Sequence, residues 1–150
     1  MKYEQLSVGE LTLGPSLNES VLGNKVILLT AAQIKALFTT PIVLAPAPGA
    51  GRVVMVDEIL AKIVFGTIAY TGGNALEFRY TDGAGAKVSA DIASTFINTA
   101  AGTVYASVKG VTTALTPVPN APVVVAVPVA NPAAGDSLIK VVIRYRIVRL

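Results

Sequence analysis

The stretch Leu138-Ile139-Lys140-Val141-Val142-Ile143-Arg144-Tyr145-Arg146-Ile147-Val148-Arg149-Leu150 alternates apolar and polar side chains over most of its length. Ile139, Val141, Ile143, Tyr145 and Ile147 fall on one face; Lys140, Arg144 and Arg146 fall on the other. Successive side chains of a strand point to opposite sides, so a period of two predicts a long β-strand with one buried side.

Working back from it, the same signal recurs in shorter pieces. Asn131-Pro132-Ala133-Ala134-Gly135-Asp136 is a turn. In Pro122–Val129, Val123, Val125, Val127 and Val129 make one apolar face, and Pro122 and Pro128 on the other predict an edge strand. Thr103–Val108 and Val111–Leu115 are further strands around Lys109-Gly110. Ala75–Tyr80 sends Leu76, Phe78 and Tyr80 one way and Glu77 and Arg79 the other, a half-buried strand with one wet face. It is bounded by the turns Gly72-Gly73-Asn74 and Asp82-Gly83-Ala84-Gly85, after which Lys87–Ala90 can pair back.

Arg52–Phe65 is a long β-branched run without alternation in Val53-Val54-Met55-Val56, which suits burial on both sides. Asp57-Glu58 marks a bulge or bend in its middle. Gly66 breaks the run, and Thr67–Thr71 continues it. Ile42–Leu44 and Lys25–Leu29 are short strands. Between them Thr30 caps a helical turn that places Ile34, Leu37 and Phe38 on one face and stops before Pro41. Asp91–Asn98 is a second short helix, with Ile92, Phe96 and Ile97 toward the core.

About eight short strands at roughly 8–12-residue spacing, with Gly, Pro and Asn between them, predict an all-β fold. The expectation is an antiparallel β-sandwich or jelly-roll-like domain over residues 25–150, with one or two short helices. Residues 1–24 read as an extended N-terminal arm, broken by Gly9, Gly14, Pro15, Asn18, Gly23 and Asn24. Leu6, Val8, Leu11, Leu13, Leu17, Val21 and Leu22 make this arm too apolar for ordinary disorder, so it is expected to dock on a partner.

Composition narrows the chemistry. The 150-residue chain has no histidine, cysteine or tryptophan, which removes the commonest general base, thiolate metal sites and disulfides. Ser, Thr and Tyr hydroxyls therefore have no histidine to activate them. We expect no catalytic residues, no cofactor, no metal and no small-molecule substrate. Charged residues make up only 14% of the chain and net charge is +3, too little for the dense basic surface of a specific nucleic-acid binder. The longest apolar run, Ala121–Ala130, is short and carries two prolines, so no membrane span is expected. The polar start lacks the apolar core of a secretory signal, which points to a soluble protein made in the cytoplasm. A sparsely charged, 53% apolar chain should cover its apolar patches by association, most simply as a symmetric dimer or trimer.

Three features invite a chemical reading. Gly49-Ala50-Gly51 and Gly83-Ala84-Gly85 each lead into strands, whereas phosphate loops open helices, so both read as turns. Asp57 and Glu58 are adjacent and cannot converge on a strand unless a bulge re-aims one. Lys140, Arg144, Arg146 and Arg149 make the last strand the most basic segment, either a solvated face that discourages edge pairing or a contact for an acidic partner.

Finally, the stretch from Ala45 to Asp57 (APAPGAGRVVMVD), Tyr70–Leu76 with Arg79-Tyr80, and Val141–Val148 (VVIRYRIV) resemble small virion proteins of tailed bacteriophages. The resemblance covers roughly residues 25–150 and is similar in kind to capsid decoration (cement) proteins. It implies a β-sandwich or jelly-roll bound outside the shell as a homo-oligomer, with the major capsid protein as partner and the virion surface as location. The arm residues Leu6, Val8, Leu11, Leu13 and Leu17, with Arg144, Arg146 and Arg149, are the expected partner contacts. A head-fibre base or tail component is the alternative, and a carbohydrate-binding adhesion module a more distant one, since no tryptophan supplies a sugar platform.

Overall fold

The computed structural model describes residues 20–72 and 74–150. Its strands are β1 (Ser20–Leu29), β2 (Ile42–Ala45), β3 (Arg52–Val64), β4 (Tyr70–Thr71), β5 (Glu77–Tyr80), β6 (Thr103–Lys109), β7 (Val123–Ala126), β8 (Ala133–Ala134) and β9 (Leu138–Arg149). The helices are single turns, α1 (Ala31–Ile34) and α2 (Ser94–Ile97). One sheet has the order β1-β9-β3-β6, a second β2-β7-β5, and β4 pairs only with β8.

The segment 86–92 completes the second sheet. It pairs with β5 at Arg79–Lys87 and Leu76–Ile92, through backbone bonds from Tyr80 N–H to the Ala86 carbonyl (2.9 Å) and from Val88 N–H to the Phe78 carbonyl (2.9 Å). With β4 and β8 set aside, the strands in chain order form a first sheet 1-8-3-6 and a second sheet 2-7-4-5. That is the jelly-roll arrangement, in which two four-stranded antiparallel sheets face each other. The all-β expectation holds.

The core lies between the sheets. Leu29, Ile59, Ile63, Ile139, Val141 and Ile143 from the first sheet meet Leu44, Phe78, Tyr80, Val123 and Val125 from the second, all fully buried. The predicted inward face of the last strand is the observed one. Tyr80 also spans the sandwich, its hydroxyl donating to the Val54 carbonyl at 2.5 Å. Burial pushes the Tyr80 phenol up to about 12, so it stays a donor at any ordinary pH.

Several local expectations change. β1 starts at Ser20, ahead of Lys25, because its backbone continues to pair with β9 from Leu29–Ile139 back to Ser20–Val148. β7 is not an edge strand: β2 and β5 flank it, and Val124 and Ala126 are as buried as Val123 and Val125. Pro122 and Pro128 lie just outside it, so neither interrupts the ladder. β9 is likewise interior, between β1 and β3. Val111–Leu115 is no strand; Val111 N–H turns to the Val88 carbonyl (2.9 Å) and Ala114 takes a φ of 59°.

Thr67-Thr71 shortens to Tyr70-Thr71 because Asp136 gathers the preceding residues. Its carboxylate accepts from Thr67 N–H and Ile68 N–H, each at 2.9 Å, and from the Thr67 hydroxyl at 2.6 Å. Thr30 does cap α1, reciprocally with Gln33. The helix ends at Ile34, so Leu37 is buried while Phe38 turns out to 45% exposure.

Candidate functional site

Among the described residues, the first sheet packs on the second by one face. Its other face is a surface of side chains in ordered rows, fixed by the ladder register. Leu28, Lys140, Lys62 and Tyr105 form one row across β1, β9, β3 and β6. Val26, Val142, Leu60 and Ser107 form the next, and Asn24, Arg144, Glu58 and Lys109 the third. Beyond the first row stand Leu138 and Val64; beyond the third, Leu22 and Arg146.

This face divides into two zones. At the Leu138 end it is apolar around the Lys62–Lys140 pair: Val26, Leu28, Leu60, Val64 and Leu138 are all exposed, and Tyr105 is 63% exposed. Single exposed apolar residues are common, but contiguous ones on one sheet face mark a contact surface. At the other end it is ionic. β3 shifts register between Val56 and Glu58, leaving Asp57 as the extra residue of a bulge. The bulge re-aims the chain so that both carboxylates meet cations of the outer face, which the strand period alone forbids.

The ionic zone is built from short contacts. Asp57 accepts from Arg146 Nε at 3.0 Å. Glu58 accepts from Lys109 Nζ at 2.8 Å and the Ser107 hydroxyl at 3.1 Å, with Arg144 at 3.7 Å. The hydrogen bonds from Lys109 and then Ser107 hold the Glu58 carboxyl below its usual range. These pairs are partly exposed and screened by solvent, so they contribute little to stability.

The expected contact residues distribute as follows. Arg144 and Arg146 are on the outer face, paired with Glu58 and Asp57. Arg149 stands opposite Arg52 at the end of the ladder and has no ion pair among the described residues. Leu6, Val8, Leu11, Leu13 and Leu17 lie outside the described residues. The structure brings Leu28, Leu60, Lys62 and Tyr105 to the same face, and none of them was singled out from the sequence. The signal was the alternation Leu60, Lys62, Val64 once the bulge is counted.

Two other clusters are structural. Glu77, only 6% exposed, is sealed by Arg79 (2.5 Å) and Lys87 (2.9 Å), with Lys87 also on Asp91 at 2.7 Å. At Glu77 the second face of β5 is therefore covered rather than wet, because the side chains of Arg79 and of Lys87, on the neighbouring segment 86–92, lie against it. Burial alone would raise the Glu77 carboxyl, but hydrogen bonds from Lys87 and Arg79 outweigh it and hold it low. Gly49 and Gly51, at φ of 100° and 68°, make the turn into β3 that the sequence suggested.

No protein-family model matches the chain, and no curated protein matches it. Among solved structures, the cyanophage Pam1 capsid asymmetric unit is similar over 85% of this chain and 84% of that chain, with a TM-score of 0.47 and 15% identity. No helix among the described residues is long and apolar enough to cross a membrane.

Proposed function

We propose that this chain is a virion structural protein of a tailed bacteriophage. In this reading it binds the outside of the capsid as a decoration, or cement, protein and stabilises the shell. It acts by contact rather than turnover, and its partners are its own copies and the major capsid protein. A jelly roll hosts both capsid and lectin roles, so the fold does not choose between them. The observation that carries the reading is the open apolar zone around Val26, Leu60 and Leu138, set in a rigid sheet. The resemblance in Ala45–Asp57 and Val141–Val148 supports the same class. A shell offers many equivalent positions, so modest contacts become effective together through avidity.

The test is occupancy of purified capsids. Capsids stripped of this protein are mixed with the full chain and with a chain lacking residues 2–19, which leaves β1 whole, then sedimented. Stoichiometric uptake of the full chain supports the reading, with reduced uptake for the truncated one. No uptake of the full chain rejects the capsid role, and equal uptake rejects the role of the arm.

A further inference from the structure

Lys62 and Lys140 stand directly opposite each other on β3 and β9. Like charges at such positions repel, and among the described residues neither lysine meets a carboxylate. Lys62 instead leans over the Tyr105 ring, its Nζ 5.7 Å from the centroid. The two lysines rim an apolar groove with Leu28, Val64, Phe65 and Leu138. Asp136 also borders it, but that carboxylate is engaged by Thr67 and Ile68. The groove thus calls for a segment that is apolar and carries carboxylates.

Residues 1–19 have that composition. They contain Glu4, Glu10 and Glu19 against a single Lys2, and between them Leu6, Val8, Leu11, Leu13 and Leu17. They join the domain at Ser20, the far end of β1 from Leu28 and so about 30 Å from the lysine pair, at 3.3 Å per strand residue. To reach its own groove the segment would have to reverse at Ser20 and run back the length of β1. Extended, it reaches up to about 60 Å, enough to span to a neighbour.

We infer that the Lys62–Lys140 groove receives the N-terminal segment of a second copy of this chain. Its leucines fill the apolar floor and a Glu4 or Glu10 carboxylate sits between the two lysines. This inference rests on the homo-oligomer part of the reading above. It names which face of one copy meets which segment of the next.

The chain has no cysteine, so single substitutions give clean cross-linking. Two differently tagged full-length chains, Thr12→Cys and Leu138→Cys, which leave both lysines and both glutamates in place, are co-expressed, oxidised and separated without reductant. A control pair replaces Leu138→Cys with Thr95→Cys, exposed on α2 and outside the four-stranded sheet. We expect the mixed disulfide dimer at about tenfold the control yield, as a docked segment raises effective concentration. A yield no higher than the control overturns the inference, and so does a double variant that cross-links only within one chain. Charge reversal of both lysines, Lys62→Glu with Lys140→Glu, should abolish the mixed dimer from chains carrying Thr12→Cys and Leu138→Cys, in which Glu4 and Glu10 are intact; persistence overturns it. Capsid uptake is measured in parallel. Retained uptake without the mixed dimer overturns this inference alone and leaves the capsid role standing.

Discussion

The Tyr80 hydroxyl crosses the sandwich to the Val54 carbonyl at 2.5 Å, tying β5 of one sheet to β3 of the other. The ring packs in the core while its polar tip finds a partner, as a buried tyrosine must. Removing the hydroxyl keeps the ring volume and deletes one hydrogen bond. Tyr80→Phe should therefore lose about 1 kcal/mol. In urea unfolding, the midpoint should fall with the slope unchanged. An unchanged midpoint would show that the bond contributes nothing.

Gly23 and Tyr145 are register partners on β1 and β9, and a Cβ at position 23 would fall within the Tyr145 ring. The ring covers the gap left by the glycine. Gly23→Ala should cost about 1–3 kcal/mol through overpacking. In a Tyr145→Ala background the same change should cost almost nothing. The double-mutant cycle measures this coupling directly, and additive losses would contradict the packing.

Glu77 gives the fold a defined acid sensitivity. Its folded carboxyl is held below the ordinary glutamate range by Lys87 and Arg79, despite its burial. The stabilisation from this group is complete above the unfolded value and is lost as pH falls through the lower folded one. Stability should decline from about pH 5 downward, and Glu77→Gln should flatten that part of the curve. At pH 7 the same variant should cost about 3 kcal/mol, because Arg79 and Lys87 are left without their buried partner. Chemical denaturation across pH 3–7 reads both effects.

The outer apolar zone should separate folding from binding. Val26 and Leu60 are exposed on the four-stranded sheet, outside the Lys62–Lys140 groove. Changing both to serine should alter folding stability by less than about 1 kcal/mol, since surface sites away from special features change little. Loss of two contact anchors at about 1 kcal/mol each should weaken capsid binding about 30-fold. Calorimetry and capsid titration together check this. Unchanged binding would place the contact elsewhere.

Much of the fold was legible because the last strand and Ala75–Tyr80 alternate so regularly. The bulge at Asp57 was also legible, from two acids inside an apolar run. What the sequence hid were tertiary decisions. Pro122 and Pro128 suggested an edge strand, yet they sit just beyond the ends of β7, which is central. Glu77 looked like a solvent residue, but pairing of segment 86–92 beside β5 brings Lys87 next to it, and Lys87 and Arg79 together cover it. The outer face was only half legible. Arg144 and Arg146 stood out as charges, but their carboxylate partners required the bulge. Leu28, Leu60 and Tyr105 lie on three different strands, so only the register brings them together.

A density map of an intact virion carrying this protein would show whether it works as contact surface on a phage shell. Jelly-roll density is expected outside the shell, repeated with its symmetry, with Val26, Leu60 and Leu138 covered by a neighbouring chain. A map with no such density on the capsid would contradict the account. So would one in which that face is open to solvent.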